Sequence, residues 1–185
     1  TEAARTGPAE RVLLNDGAGN FHEDAQRLAG GGSTSVALGD LDGDGDLDAL
    51  VGRERGALVR INQGGAQGGP AGRFEAAKSG IAGSRTRTVR LADLDADGDL
   101  DALVAGERGA EVWWNDGRGR FARGQARIPL SERQDLAAGD FNGDGLPDVF
   151  VAGYDKDAWV YLNDGRGGFE PAVHSRAPDW AAAGE

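Results

Sequence analysis

Apolar residues recur two apart along much of the chain, as Val112 with Trp114 and Val160 with Leu162 do. A period of two belongs to a strand, whose successive side chains leave on opposite faces. Between these stretches lie runs without alternation, such as Ala49, Leu50 and Val51, which suit strands buried on both sides. Asn-Asp-Gly at 15–17, 115–117 and 163–165 marks hairpin turns, because these residues tolerate positive φ. In the last complete unit the pattern predicts strands near 134–139, 147–152, 158–163 and 168–173. The expected class is all-β, with short antiparallel strands.

The pattern repeats. VALGDLDGDGDLDALVG at 36–52, VRLADLDADGDLDALVAG at 89–106 and LAAGDFNGDGLPDVFVAG at 136–153 align directly, with Asp40, Asp93 and Asp140 spaced 53 and 47 apart. A second element, a strand ending in Asn followed by a Gly-rich turn and a Phe, recurs at 12–21, 112–121 and 160–169. Its copy at 59–74 carries six extra turn residues, which accounts for the longer spacing. A period near 47 with four strands each predicts a β-propeller of four-stranded antiparallel blades. The expected units are 34–80, 87–127 and 133–175, within one domain spanning 1–185. WAAAGE at 180–185 matches DLAAGD at 135–140, and RVLLN at 11–15 supplies the strands that such a tail would need. A closing fourth blade is therefore expected from about 1–25 plus 178–185. The alternative is a fragment of a larger ring, for example a seven-bladed one.

The loops between the first and second strands read DLDGDGDLD, DLDADGDLD and DFNGDGLPD. Oxygen donors fall at positions 1, 3, 5 and 9, with a main-chain carbonyl expected at 7. This spacing predicts three Ca²⁺ sites, since Ca²⁺ takes six to eight oxygens from a tightly wrapped loop. Site one takes Asp40, Asp42, Asp44, Asp48 and the carbonyl of Asp46. Site two takes Asp93, Asp95, Asp97, Asp101 and the carbonyl of Asp99. Site three takes Asp140, Asn142, Asp144, Asp148 and the carbonyl of Leu146. Position 6 is Gly45, Gly98 or Gly145, where the chain must turn sharply. A helix–loop–helix site would need Glu at position 12, which is Val51, Val104 or Val151. Zinc lacks ligands, with no Cys and only His22 and His174.

On these motifs, over nearly the whole chain, the sequence resembles the FG-GAP/VCBS repeat family, the calcium-binding repeats of integrin α-like propellers. The resemblance implies Ca²⁺ in the loops between first and second strands, an extracellular or periplasmic setting and a binding role.

Charge fits that picture. The net charge is −11, yet thirteen of the 31 acids lie in the three loops, leaving 18 against 20 bases elsewhere. Three Ca²⁺ would bring the total to about −5. No basic stripe supports nucleic-acid binding, and no apolar run is long enough to enter a membrane as a helix. With no Cys nucleophile, no G-x-S-x-G and no H-E-x-x-H, the sequence predicts no enzyme. It predicts a calcium-stabilised module that recognises carbohydrate or a protein surface, in lectin-like or adhesion-like fashion. The alternatives are a protein scaffold module, or a non-catalytic accessory domain of a secreted carbohydrate-active or lipolytic enzyme. Alternation places Trp113 and Tyr161 on one blade face and Trp114 and Leu162 on the other, as packing between blades. Trp159, Trp180 and Tyr154 are the expected ligand-contacting aromatics.

Overall fold

Asn, turn, Phe: wherever this signal occurs, a hairpin closes. In the computed structural model, which describes residues 10–28, 32–70, 72–78, 80–83, 85–130, 134–153 and 158–175, Asn15 pairs with Phe21, Asn62 with Phe74, Asn115 with Phe121 and Asn163 with Phe169. The described strands form a two-stranded sheet followed by three antiparallel four-stranded meanders. The pair is β1 (Glu10–Asn15) and β2 (Phe21–Leu28). The first meander is β3 (Ser33–Gly39), β4 (Asp48–Arg53), β5 (Ala57–Asn62) and β6 (Phe74–Ala76). The second is β7 (Thr86–Ala92), β8 (Asp101–Gly106), β9 (Gly109–Asn115) and β10 (Phe121–Ile128). The third is β11 (Gln134–Gly139), β12 (Asp148–Gly153), β13 (Ala158–Asn163) and β14 (Phe169–Ser175).

The meanders are propeller blades stacked face to face. β7 packs against β3 and β4 on one side and β11 on the other. One apolar layer lies between the first two blades, with Leu50, Val59, Val89, Val104 and Trp113 in it. The next lies between the second and third, with Leu103, Val112, Leu136, Val151 and Tyr161. Strand β8 explains its own composition: Ala102 and Val104 enter the first layer, Leu103 and Ala105 the second. A strand that serves two cores has no polar face, so its sequence does not alternate. Trp113 and Tyr161 fall in successive interblade layers, the packing role that alternation assigns them.

The turn between second and third strands of the first blade lies too close to the 80–83 segment for a side chain. At Gly56, φ is 76° and an added Cβ would lie 1.9 Å from the Ile81 carbonyl. The hairpin β1–β2 sits beside the outer strand of the first blade, where Gln26 both donates to the Phe74 carbonyl and accepts from its N–H. The hairpin carries third- and fourth-strand signals only. The segments expected to complete that blade, 1–9 and 178–185, lie outside the described residues, as do Trp180 and Tyr154. No helix among the described residues is long and apolar enough to cross a membrane.

Candidate metal centres and an interblade groove

Each Asp loop is wrapped by its own amides. The position 1 carboxylate accepts from the far side of the turn: Asp40 from Gly43, Asp44 and Gly45, Asp93 from Asp97 and Gly98, Asp140 from Gly143 and Gly145. Position 5 accepts from position 7 through Oδ1, at Asp44, Asp97 and Asp144. The position 6 glycines have φ of 90°, 97° and 90°. Position 4 also lies at positive φ, and in the second loop it is Ala96 at 60°, the one non-glycine there among the described residues. An alanine in that region is mildly strained.

Position 9 has a second role that its spacing does not reveal. Asp48, Asp101 and Asp148 are buried at the start of the second strand. Each Oδ2 accepts the position 2 amide, from Leu41, Leu94 or Phe141. Each Oδ1 accepts the amide of the third-strand Asn, from Asn62, Asn115 or Asn163. These carboxylates therefore tie the loop to its blade. Burial pushes Asp48 and Asp101 up to about 6 while the two amides pull the other way.

Carboxylates converge in two loops. Ligand atoms of Asp40, Asp42 and Asp48 lie within 4.8 Å of one another, as do those of Asp93, Asp95 and Asp101. Partial loss of hydration first, and neighbouring carboxylates next, raise Asp42, Asp46 and the more exposed Asp95. In the first loop Asp42 Oδ1, Asp44 Oδ2 and both oxygens of Asp46 are sealed from solvent with no hydrogen-bond partner. Crowded anionic oxygens lacking donors are the counterpart of a cation, so these clusters fit a hard divalent ion. The third loop differs. Asn142 donates to Asp144 Oδ2 at 2.8 Å, Asp140 is held low by the amides of Gly145 and Gly143, and position 7 is Leu146.

Neighbouring blades are strapped at these loops. Asn115 donates to the Leu41 carbonyl of the preceding blade's loop as well as to Leu100. Asn163 donates likewise to Leu94 and Pro147.

Beyond the strap lies a groove of about 660 Å³ between the second and third blades. Trp114, Arg123 and Gln125 line it from one blade, Asp164, Arg166 and Gly167 from the next. Arg123 is braced by Glu111 at 2.6 Å. The amides of Gly168 and Arg166 hold the Asp164 carboxyl below its usual range. The repeat places Leu14, Ile61 and Leu162 where Trp114 stands. Leu14, Ile61 and Trp114 each lie against a glycine of the following turn, Gly72, Gly119 and Gly167. Only Trp114 adds an aromatic face, half-buried and wetted by the groove. Alternation alone reads Trp114 as blade packing; its being the one ring at this position is the signal that singles it out. Trp159 packs against Tyr161, ring centroids 6.3 Å apart, within the layer between blades.

The model of the FG-GAP-like repeat family matches residues 6–51, 93–151 and 140–184. Among solved structures, the chain resembles an Agrocybe aegerita lectin described as recognising non-reducing terminal N-acetylglucosamine, with a TM-score of 0.61 and 25% identity. The likeness covers 91% of this chain and 46% of the lectin chain, so this chain spans less than half of the lectin's length. No curated protein matches it.

Proposed function

The chain belongs to the FG-GAP-like repeat family, and on that basis we propose that it is a lectin-like binding module, a Ca²⁺-stabilised propeller that holds a carbohydrate between its second and third blades. The observation that carries this reading is the groove in which the indole of Trp114 lies beside Arg123, Gln125, Asp164 and Arg166. A pyranose offers one face of C–H bonds and a rim of hydroxyls. An indole accepts the first by stacking, and an ionised carboxylate flanked by guanidinium and amide groups accepts and donates to the second. The likeness to a lectin that recognises terminal N-acetylglucosamine supports the ligand class. The module acts by binding, because its densest carboxylates are committed to the loops.

In the loops, Asp40, Asp42, Asp44 and Asp48 would hold one Ca²⁺, Asp93, Asp95, Asp97 and Asp101 a second, and Asp140, Asn142, Asp144 and Asp148 a third, with the carbonyls of Asp46, Asp99 and Leu146. All-oxygen donors in a wrapped loop favour Ca²⁺ over the smaller, more hydrated Mg²⁺. A bound ion neutralises the crowded carboxylates and so fixes the turn between first and second strands. The setting that suits such sites is the cell exterior or periplasm, since extracellular modules bind Ca²⁺ at about 10⁻⁴–10⁻³ M.

The test is calorimetric titration with N-acetylglucosamine oligomers, backed by a glycan array. Trp114→Ala should weaken binding at least tenfold, about 1.4 kcal/mol, while Trp159→Ala leaves it unchanged. No glycan bound by the full chain, or equal binding by Trp114→Ala, overturns the reading.

A further inference from the structure

One blade differs from its neighbours in the turn between third and fourth strands, which is six residues longer after Asn62. That longer turn is anchored. Asn62 Oδ1 accepts from the amides of Gly64 and Gly72, and its Nδ2 donates to the Leu47 carbonyl within the first Asp loop. A single 3-10 turn, Gly65–Gln67, lies over that loop. A Cβ at Gly65 would stand 3.2 Å from Asp44 Oδ2 and 3.3 Å from Asp46 Oδ2. Gln67 reaches down from the turn, and its Nε2 donates to Asp42 Oδ2 at 2.8 Å.

The consequence shows in which oxygens lack donors. Among the described residues, the Asp-loop carboxylate oxygens that are both sealed from solvent and unpartnered all belong to the first loop: Asp42 Oδ1, Asp44 Oδ2 and both of Asp46. In the second loop Asp95 and Asp97 are exposed, and in the third Asp140 and Asp144 are. In their short turns, 116–120 and 164–168, the glycine after Asn-Asp meets its own loop at position 7: Gly117 lies against Asp99 and Gly165 against Leu146.

We infer that the first Asp loop is a closed cation site, with the Gly65–Gln67 turn as its cap and Gln67 as the residue that orients Asp42, and that it binds Ca²⁺ more tightly and with fewer waters than the other two. The inference rests on the Ca²⁺ reading of the loops. By engaging Asp42 Oδ2, Gln67 leaves Oδ1 as the oxygen turned to the ion. Partners of this outer kind fix ligand orientation, and losing one weakens metal affinity about 10- to 100-fold. Carboxylates already stripped of water give up less hydration when the ion arrives, and the ion's attraction is screened less there.

Terbium, a hard trivalent stand-in for Ca²⁺, tests this on the full chain. Luminescence lifetimes in H₂O and D₂O count bound waters, and Ca²⁺ titration calorimetry resolves affinity classes. The expected result is one tight, water-poor site and two weaker ones, the tight class disappearing in Asp42→Ala and surviving in Asp95→Ala and Asp144→Ala. Gln67→Ala, an exposed change that removes no ligand, should weaken the tight class at least tenfold and leave the other two. Three equivalent sites, or a tight class indifferent to Gln67→Ala, overturn the inference while the Ca²⁺ reading stands. No ion bound at any loop overturns both.

Discussion

Asp48 and Asp101 stand where burial and hydrogen bonding oppose each other. Burial favours the neutral acid, each carboxylate's two backbone amides favour the anion, and burial wins, leaving both near 6. An unfolded Asp titrates near 3.9, so without metal the folded chain holds these protons more tightly than the unfolded one. Their stabilisation is then complete below about pH 4 and lost as pH rises through about 6. Melting of metal-stripped protein in Ca²⁺-free buffer, followed by circular dichroism, should show the midpoint falling between about pH 4.5 and 6.5. With Ca²⁺ present the sign reverses, because the ion competes with the same protons and gains as they leave. A midpoint in Ca²⁺-free buffer that holds steady or rises over that window would contradict the assignment. The position 9 acids are legible in the sequence as oxygen donors. Their part in tying loop to strand is not, because the amides they accept come from residues up to 15 positions away.

Asn163 shows how an element is held to its neighbour. Its amide closes the β13–β14 turn within its own blade, through Oδ1 to the Gly165 amide, and reaches across the interface to the buried Leu94 carbonyl at 2.7 Å. Asn163→Ala would leave that carbonyl and the Pro147 carbonyl without these donors. A loss of about 1–3 kcal/mol in urea unfolding is expected, and a change below about 0.5 kcal/mol would rule the strap out as a stabilising contact. At this scale the sequence speaks clearly about type. Strand periodicity is a local signal that all three meanders follow, and Asn-Asp-Gly, another local signal, closes the last hairpin of the second and third. Apolar runs such as Ala102–Ala105 predict burial on both faces, but which core each face enters depends on the blade stacked against it.

Across the whole molecule, the acids of three loops are the main source of a net charge of −11. A ligand bound only by the folded state adds about 2.7 kcal/mol per site at a hundredfold excess over Kd, and in a chain of this size each kcal/mol moves melting by about 2–4 °C. Chelation by EGTA at pH 7.5 should therefore lower the melting temperature by more than about 10 °C, restored by adding Ca²⁺ back; identical melting in both would rule the loops out as metal sites. The amino-acid sequence by itself determined the repeat, the four-strand meander, the loop oxygens and the family resemblance, because each is written in residue order and spacing along the chain. Only the tertiary structure decided which repeated positions become distinct. Trp114 both packs on the interblade core and walls the groove, because the 164–168 turn of the next blade meets its ring through Gly167, which has no side chain to cover it. The first loop is sealed because an insertion about 20 residues downstream folds back over it. Both outcomes depend on surfaces brought together from distant parts of the chain, which local patterning does not encode.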